Sequence, residues 1–239
     1  MAGSLSAPAD DGGSTVTGIT PDDLRAYGTD PDQVLEVFEP EQWNGRTIVV
    51  VHGGFWRPRY DRAHARPQAR ALADLGHRCA LPEYRRIPGN PDASIDDLCQ
   101  AVDSVGARDA ILIGHSAGGQ LAIITAMRTG AAAAISLGGV VDLGLADRLD
   151  LGDGAVRDFL GMAASERPDL DPARLPRPAF PVHLVHGTAD DDVPLSVSES
   201  LAMAWDCPLT VLEGTGHMAL IEPDAAAWPR VTDVLARIT

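Results

Sequence analysis

Cysteine is scarce in this chain, which has three cysteines among 239 residues. Cys79, Cys99 and Cys207 are scattered along the sequence, and no two of them stand close together. They are too few and too dispersed for a disulfide framework, and none of the spacings matches a zinc knuckle. Both of these classes are excluded, and the cysteines are predicted to be small apolar side chains of the core.

Basic residues are also in short supply. The chain has 19 Lys and Arg residues against 34 Asp and Glu residues, a formal net charge of −15. Proteins that bind nucleic acids usually carry a basic footprint, and an anionic membrane surface would repel this charge. We therefore expect a small-molecule substrate and neither a nucleic-acid nor a membrane partner. The sequence leaves open whether the chain forms a homodimer.

Long hydrophobic runs are absent as well. No apolar segment approaches the roughly 18 residues of a membrane-spanning helix, and the first residues lack the basic start and apolar stretch of a secretion signal. The predicted location is therefore the cytoplasm. Residues 1–17 are small, polar and rich in glycine, which predicts a flexible tail. Residues 18–239 are predicted to form a single domain.

The rest of the chain alternates between strand and helix patterns. Apolar runs such as 47–52 and 110–114 are typical of strands buried on both faces, and helical spacing follows most of them. This alternation predicts an α/β fold with a mostly parallel central sheet and helices on both faces. Residues 94–105 are predicted to form a helix capped by Ser94. Residues 142–180 interrupt the alternation and are predicted to form a short cap insertion.

A nucleophile motif follows one of the buried strands. Residues 114–118 read Gly-His-Ser-Ala-Gly, the G-x-S-x-G pattern, with a strand before it and a helix after it. A sharp strand-to-helix turn needs very small neighbours and lifts the serine hydroxyl above the sheet edge. The motif therefore indicates that Ser116 is a catalytic nucleophile on an α/β-hydrolase fold. It is not a phosphate-binding loop, because the lysine and the glycine spacing of such loops are missing.

A serine nucleophile needs a base, and seven histidines compete for this role. His217 alone lies in a glycine-flanked loop near the end of the chain, after the last predicted strand, where the base of this fold is expected. His183 is predicted to be structural, and His64 and His77 are predicted to lie at the surface. His115 is expected to point away from Ser116 and is included only among the residues of the substrate pocket.

The acid should precede the base, and three consecutive aspartates follow the strand at 182–186. The spacing between His186-Gly187 and Val193-Pro194 favours Asp190, with Asp191 as the alternative. The acid would hold the imidazole in the correct tautomer and stabilise the imidazolium. Asp191 and Asp192 are predicted to be turn or capping residues.

An oxyanion hole is predicted from two segments. The residue after the nucleophile, Ala117, offers one backbone N–H, and the second should come from an early strand-to-helix loop. His52-Gly-Gly-Phe-Trp56 stands in that position, and its glycines allow backbone amides to face a ligand. Gly54 and Phe55 are the candidate donors, and Phe55 and Trp56 are predicted either to line the substrate pocket or to pack the cap onto the core.

The H-G-G-x-W segment together with Gly-His-Ser-Ala-Gly-Gly at 114–119 resembles the kynurenine formamidase (arylformamidase) branch of the α/β-hydrolases. The resemblance covers about residues 27–239. It implies a Ser116–Asp190–His217 triad, a mechanism without metal or cofactor, and hydrolysis of N-formyl-kynurenine or small aryl esters. Phe55 stands where the family often has tyrosine, and the short cap could alter the pocket.

Several alternatives stay open. A carboxylesterase of broad specificity and a peptidase-like hydrolase would use the same residues. A non-catalytic binding module on this fold usually has a damaged triad, whereas every part is present here. Arg57, Arg59 and Arg148 are considered as partners for a substrate anion, although surface charge is the favoured interpretation of each.

Overall fold

The computed structural model describes residues 18–106 and 109–238. The predicted tail at 1–17 lies outside these residues. Within them, eight strands form one sheet in the order β1-β2-β4-β3-β5-β6-β7-β8. The strands are β1 (Asp23–Ala26), β2 (Val34–Phe38), β3 (Thr47–Val51), β4 (Arg78–Pro82), β5 (Ile111–His115), β6 (Ala133–Leu137), β7 (Val182–Gly187) and β8 (Leu209–Leu212).

Strand direction divides the sheet into two parts. The pairs β1–β2 and β2–β4 are antiparallel, and every other neighbouring pair is parallel. The carboxyl ends of β3, β5, β6, β7 and β8 therefore meet at one edge of the sheet, which is where open α/β sheets bind their ligands.

Helices cover both faces of the sheet. They are α1 (Arg66–Asp74), α2 (Pro91–Ser104), α3 (Ala117–Thr129), α4 (Leu143–Arg148), α5 (Ala155–Leu160), α6 (Leu195–Trp205) and α7 (Trp228–Ile238). Successive side chains of a strand point to opposite faces. Accordingly, Val49 and Val51 of β3 join the core beneath α2 and α3, whereas Ile48 and Val50 join the core beneath α1 and α7. The α/β-hydrolase architecture predicted from the sequence is confirmed.

Between β6 and β7 the chain forms the predicted interruption. It contains α4, α5 and three short 3₁₀ segments, at Ala164–Glu166, Pro168–Leu170 and Pro172–Arg174. Buried residues of this cap insertion, such as Phe159 and Leu170, belong to the same hydrophobic core as α2 and α3. The cap is therefore packed onto one face of the sheet.

Two local predictions were wrong. Helix α2 begins at Pro91, with Asn90 as its preceding residue, so Ser94 lies inside the helix and does not cap it. The buried Ser94 hydroxyl instead donates to the carbonyl oxygen of Arg85 at 2.6 Å. His77 was expected at the surface, but it is only 8% exposed and contacts the Asn44 side chain at 3.1 Å.

Candidate active site

Ser116 occupies a strained turn between β5 and α3. Its backbone has φ 56° and ψ −126°, a conformation that non-glycine residues rarely adopt and that usually persists only where surrounding contacts enforce it. Those contacts are present: the Ser116 N–H donates to Leu137 O at 2.9 Å, and the Ser116 carbonyl accepts from Gly119 and Val140. The turn is thus locked to the carboxyl end of β6.

The glycines around Ser116 are required by close backbone contacts. A Cβ on Gly114 would overlap the backbone of Gly118, and a Cβ on Gly118 would overlap the carbonyl groups of Val51 and His52. The end of β3 therefore lies directly against the turn. This is the steric reason why the G-x-S-x-G pattern needs its two glycines.

His217 and Asp190 form a buried pair at the same edge of the sheet. His217 follows β8, Asp190 follows β7, and His217 Nδ1 lies 2.7 Å from Asp190 Oδ2. The Asp190 side chain has no exposed surface, and the His217 side chain is 9% exposed. Asp191 and Asp192 are exposed. Asp190 is therefore the member of the aspartate run that meets the histidine.

The Asp190 carboxylate is surrounded by hydrogen-bond donors. Its Oδ1 accepts from the backbone N–H groups of Asp192 at 3.0 Å and Val193 at 2.8 Å. His186 Nε2 lies 3.4 Å from Oδ2, the oxygen that also faces His217. Burial alone would raise the pKa of Asp190, but the contacts with His186 and His217 and the hydrogen bond from the Val193 N–H hold that pKa well below its usual value. Asp190 is therefore an anion at neutral pH.

Asp190, Asp192 and His217 also bring one potential metal-ligand atom each within 4.8 Å of one another. The Asp190 and His217 atoms, however, are already hydrogen-bonded to each other. The grouping is therefore accounted for by the acid–base pair with an exposed carboxylate beside it.

His115 connects the serine turn to the histidine. Its ring centroid lies 4.3 Å from that of His217, and its Nε2 lies 3.1 Å from the His217 carbonyl oxygen, which can only accept. Burial, together with the neighbouring His217, lowers the pKa of His115 well below its usual value, so this ring is neutral. The Ser116 hydroxyl has no hydrogen-bond partner in the part of the chain that the structure describes. The hydrogen bond between a catalytic serine and its base is often long or absent without substrate and forms fully only when the substrate binds.

The predicted oxyanion loop has an unusual backbone. Gly54, Phe55 and Trp56 have φ angles of 111°, 50° and 55°, three consecutive residues in the left-handed region. A Cβ on Gly53 would lie 2.9 Å from Ser116 Cβ, so the loop passes directly beside the serine. Within the described residues, the N–H groups of Gly54 and Phe55 have no backbone acceptor. Ala117 is the first residue of α3, where an N–H has no intrahelical acceptor.

Trp56 fastens this loop to the cap. Its indole is 3% exposed and stacks on Phe159 of α5, with ring centroids 4.6 Å apart and planes 10° apart. The indole N–H donates to Gln120 Oε1 at 3.2 Å, and the Gln120 amide donates to the Leu170 carbonyl at 2.8 Å. Of the two roles predicted for Trp56, these contacts support the packing of the cap onto the core.

Phe55 and Arg57 contact the cap at a second point. A Cβ on Gly152 would lie 2.8 Å from the Phe55 ring, so this half-buried ring rests on the Gly152 backbone. The Arg57 guanidinium donates to the carbonyl groups of Gly152 and Asp153. Of the arginines considered as anion partners, Arg57 is thus bound to the cap and Arg59 lies over the Tyr60 ring at 4.8 Å. Arg148 is exposed.

Behind the loop lies a second histidine–carboxylate pair, between His52 Nε2 and Glu83 Oε1 at 3.0 Å. Glu83 also pairs with Arg86 and, at 3.4 Å, with Arg62. Burial would raise the pKa of Glu83, but His52 and Arg86 hold that pKa well below its usual value. Tyr84 donates to the His52 carbonyl at 2.9 Å. This cluster anchors the start of the oxyanion loop.

The sequence interpretation missed two residues of the site, Gly138 and His186. A Cβ on Gly138 would lie 3.0 Å from Asp190 Oδ2 and 3.2 Å from His217 Nδ1, so the acid–base pair rests on this glycine. Gly138 directly follows β6, at the same sheet edge as the other candidates, and that position was the available signal. His186 enters the sequence interpretation only as one end of the spacing that favours Asp190, and nothing in that spacing indicates that its side chain contacts the acid.

A serine on a strained strand-to-helix turn and a buried Asp–His pair at the same edge of a mostly parallel sheet define a hydrolase. The family profile described as "Alpha/beta hydrolase family" matches residues 48–176. The chain belongs to the alpha/beta hydrolase family and is a hydrolase enzyme.

Solved structures with the same fold include esterases. Esterase B from Lactobacillus rhamnosis, inhibited with a tributyrin phosphonate, superposes with a TM-score of 0.75 at 19% identity, over 91% of this chain and 85% of that chain. A butyrate-bound esterase from the Planctomycetes species Thermogutta terrifontis superposes with a TM-score of 0.72 at 24% identity, over 90% of this chain and 92% of that chain. No curated protein sequence matches the chain. Among the described residues, no helix combines the length and the apolar character needed to cross a membrane.

Proposed function

We propose that this α/β-hydrolase is a serine esterase that cleaves small acyl esters, with Ser116 as nucleophile, His217 as base and Asp190 as acid. The observation that carries the proposal is the 2.7 Å hydrogen bond between His217 Nδ1 and Asp190 Oδ2 at the sheet edge that also holds Ser116. Asp190 fixes the imidazole with Nδ1 protonated, which leaves Nε2 to accept the serine proton.

The chemistry proceeds in two acyl-transfer steps. Ser116 Oγ attacks the ester carbonyl carbon while His217 Nε2 takes the hydroxyl proton, and the oxyanion accepts hydrogen bonds from Ala117 and from Gly54 or Phe55. Collapse of this intermediate breaks the bond to the alcohol, which leaves with the proton from His217. Water then attacks the acyl enzyme, again through His217, and releases the carboxylic acid and free Ser116.

Two observations favour a small acyl group. The cap contacts the oxyanion loop through the Trp56–Phe159 stack and the Arg57–Gly152 hydrogen bond, so the loop beside Ser116 cannot move away from the cap without breaking these contacts. The T. terrifontis esterase of the same fold has been solved with propionate and with butyrate. A short-chain ester is the substrate class that both observations support.

A second candidate is hydrolysis of N-formyl-kynurenine, with formyl as the acyl group. The H-G-G-x-W segment favours it, and this segment lies beside Ser116. An aryl formamide would follow the same steps, with His217 protonating an aromatic amine in place of an alcohol. Peptidase-like cleavage would use the same machinery but has no observation of its own. A cytoplasmic location and a homodimer stay predictions.

Labelling with a fluorophosphonate probe tests the nucleophile directly. The wild-type protein should be labelled at one residue, and Ser116→Ala should lose all labelling. Ser165→Ala is the matched control, because Ser165 is an exposed serine of the cap insertion; it should be labelled as the wild type is. Labelling that persists in Ser116→Ala would overturn the proposal.

Substrate class is tested by comparing kcat/KM for p-nitrophenyl acetate, butyrate and octanoate with kcat/KM for N-formyl-kynurenine. We expect acetate and butyrate esters to be cleaved well and octanoate poorly. Faster cleavage of N-formyl-kynurenine than of every ester would replace the esterase proposal with the formamidase candidate. A labelled protein that prefers octanoate would contradict the small-acyl assignment but not the serine mechanism.

A further inference from the structure

The candidate acid contacts a second histidine. His186 is in β7, its side chain is completely buried, and its Nε2 lies 3.4 Å from Asp190 Oδ2. That oxygen is the one bonded to His217 Nδ1 at 2.7 Å. Asp190 thus stands between two imidazoles, while its other oxygen is occupied by the backbone N–H groups of residues 192 and 193.

The contacts of His186 define where its proton lies. Nε2 is 2.8 Å from the Val193 carbonyl oxygen, which can only accept, so Nε2 carries a hydrogen. Nδ1 is 2.7 Å from the Ser198 hydroxyl, which can donate to it. The Nε2–H group therefore faces both the Val193 carbonyl and Asp190 Oδ2. In this way His186 joins α6, the turn at residues 190–193 and the acid.

We propose that His186 is a positioning residue of the triad, which holds Asp190 Oδ2 in register with His217 and takes up part of the carboxylate's negative charge. This inference rests on the proposed serine hydrolase function. His186 does not touch the substrate; it acts through Asp190 alone.

The proposal has two consequences. Loss of the His186 donor would leave Asp190 Oδ2 held by His217 alone, so this oxygen can shift out of register with the imidazole, which slows proton transfer from Ser116 to His217 and lowers kcat. It would also leave the charge on Oδ2 to His217 alone, which stabilises the imidazolium and moves the acid limb of the kcat profile to higher pH. A residue that served the fold alone would not move the acid limb.

The other ionisable groups around His217 and Asp190 are not substituted in this experiment. His217 is faced by Asp190, by the exposed Asp192 and by His115 of β5. His64 acts electrostatically on His115. Since none of these groups other than Asp190 contacts His186 in the described structure, a shift in the pH profile would report the His186–Asp190 contact.

The experiment measures kcat and KM for p-nitrophenyl acetate between pH 5 and 9 in full-length His186→Phe and His186→Gln, with His183→Phe as control. His186→Phe keeps a ring without donors, and we expect kcat to fall by about 10- to 100-fold with little change in KM. The acid limb of the profile should move up by roughly 0.5 to 1 pH unit. His186→Gln restores an N–H donor and should recover much of both.

His183 is a matched control, because it lies on the same strand and its Nε2 contacts the Thr210 hydroxyl at 2.8 Å, away from Asp190. His183→Phe should keep the wild-type acid limb. If His186→Phe does not fold, His186→Ala decides, because it removes the Nε2–H donor without adding a larger ring; an upward shift of the acid limb supports the proposal, and an unchanged limb overturns it.

A folded His186→Phe with wild-type kcat and acid limb would also overturn the inference, as would equal losses in His186→Phe and His186→Gln without a pH shift. These outcomes are distinct from failure of the esterase proposal, in which the wild-type protein itself would show no fluorophosphonate labelling at Ser116.

Discussion

Two buried histidine–carboxylate hydrogen bonds are found in the described part of the chain, and they differ in what else surrounds them. His217 and Asp190 are 2.7 Å apart at the carboxyl ends of β7 and β8, and His52 and Glu83 are 3.0 Å apart at the ends of β3 and β4. Distance and burial hardly distinguish the two pairs. The partners of each carboxylate and each imidazole do.

Glu83 is compensated by the guanidinium groups of Arg86 and Arg62, so its charge is shared among cations. Asp190 has no arginine partner among the described residues, and its charge is directed to imidazoles and backbone N–H groups. Both ring nitrogens of His52 face acceptors, since its Nδ1 lies 2.9 Å from Gly53 O. His217 Nε2 has no hydrogen-bond partner in the described part of the chain. The pair suited to catalysis is therefore the one with His217, because the Nε2 atom of this imidazole is left without a hydrogen-bond partner in the described residues.

Removing the charge from the His217 partner should have the largest effect on activity. Asp190→Asn keeps the shape of the side chain but favours the wrong imidazole tautomer, and we expect kcat to fall by about 10³- to 10⁴-fold. KM should change little, because Asp190 does not contact the substrate. Steady-state kinetics with p-nitrophenyl acetate measure both constants.

Asp191→Asn is the matched control, since Asp191 is the exposed neighbour of the acid. It should keep kcat within about twofold of wild type. Comparable losses in the two variants would contradict the assignment of Asp190 as the acid.

The same carboxylate-to-amide change in the His52–Glu83 pair should lower the free energy of unfolding. Glu83→Gln leaves Arg86 without its buried counter-charge, whereas Arg62 keeps its pair with Glu36. We expect a loss of about 3 kcal/mol or more in the free energy of unfolding. For a chain of this length that loss corresponds to roughly 6 to 12 °C in Tm. Thermal and urea unfolding measure it. Glu39→Gln is the control, because the Glu39–Arg78 pair is exposed and should contribute under about 1 kcal/mol.

The pH dependence of this difference follows from the pKa of Glu83. That pKa is held below its ordinary value of 4.5 in the folded protein. The stabilisation from the ionised carboxylate is therefore complete above pH 4.5 and is lost as the pH falls through the folded-state value. The gap between wild type and Glu83→Gln should narrow in acid, and a gap that widens there would contradict the comparison.

The oxyanion loop begins at His52 and also contacts the cap. Two glycines of the cap, Gly152 and Gly154, allow the effect of this loop–cap contact to be tested. Gly152→Ala would bring a Cβ within 2.8 Å of the Phe55 ring and should displace the loop. We expect kcat to fall by about tenfold, or ~1.4 kcal/mol. Gly154 has a similar φ of 75°, but a Cβ at that position would meet no atom closer than 3.9 Å.

Gly154→Ala is thus a control with the same backbone strain, about 1 to 2 kcal/mol of stability, and without the contact to Phe55. Kinetic constants and unfolding curves of the two variants separate strain from displacement. Equal kcat values would indicate that the cap does not position the oxyanion loop.

Much of the fold was predictable, because its strands are buried and their apolar patterns are local. The strand order along the chain placed Ser116, Asp190 and His217 at strand ends, and parallel strand ends share one edge. β1 was missed because all of Asp23–Ala26 is exposed, which leaves no alternation to detect. Ser94 was misassigned because its partner, the Arg85 carbonyl, is set by tertiary packing and not by helix-cap chemistry.

The residues of the candidate site that could be predicted from the sequence are those that belong to recognisable motifs. Asp190 was preferred over Asp191 from spacing, and the structure brings Asp190 to His217. The His186–Asp190 and Gly138–Asp190 contacts join separate strands or cross a turn, so no local period encodes them. The same holds for the role of Trp56, whose stacking partner Phe159 is far from it along the chain.

The smallest expected effect concerns His64, which sharpens the comparison because its ring lies 5.7 Å from that of His52 in an edge-on contact. Burial, and next the charge of His52, lower the pKa of His64 from 6.5 to about 4. Since the unfolded chain binds this proton more readily, His64 costs stability as the pH falls from 6.5 towards 4 and has no such effect at neutral pH.

An NMR titration of the His64 ring protons should therefore give a midpoint near pH 4, and His64→Gln should be less sensitive to acid than wild type over the same interval. Glu83 opposes the lowering, so Glu83→Gln should move the midpoint to still lower pH. A midpoint near 6.5 in the wild-type protein would mean that the His52 side of the molecule is open to water, and the structural role assigned to the His52–Glu83 pair would lose its support.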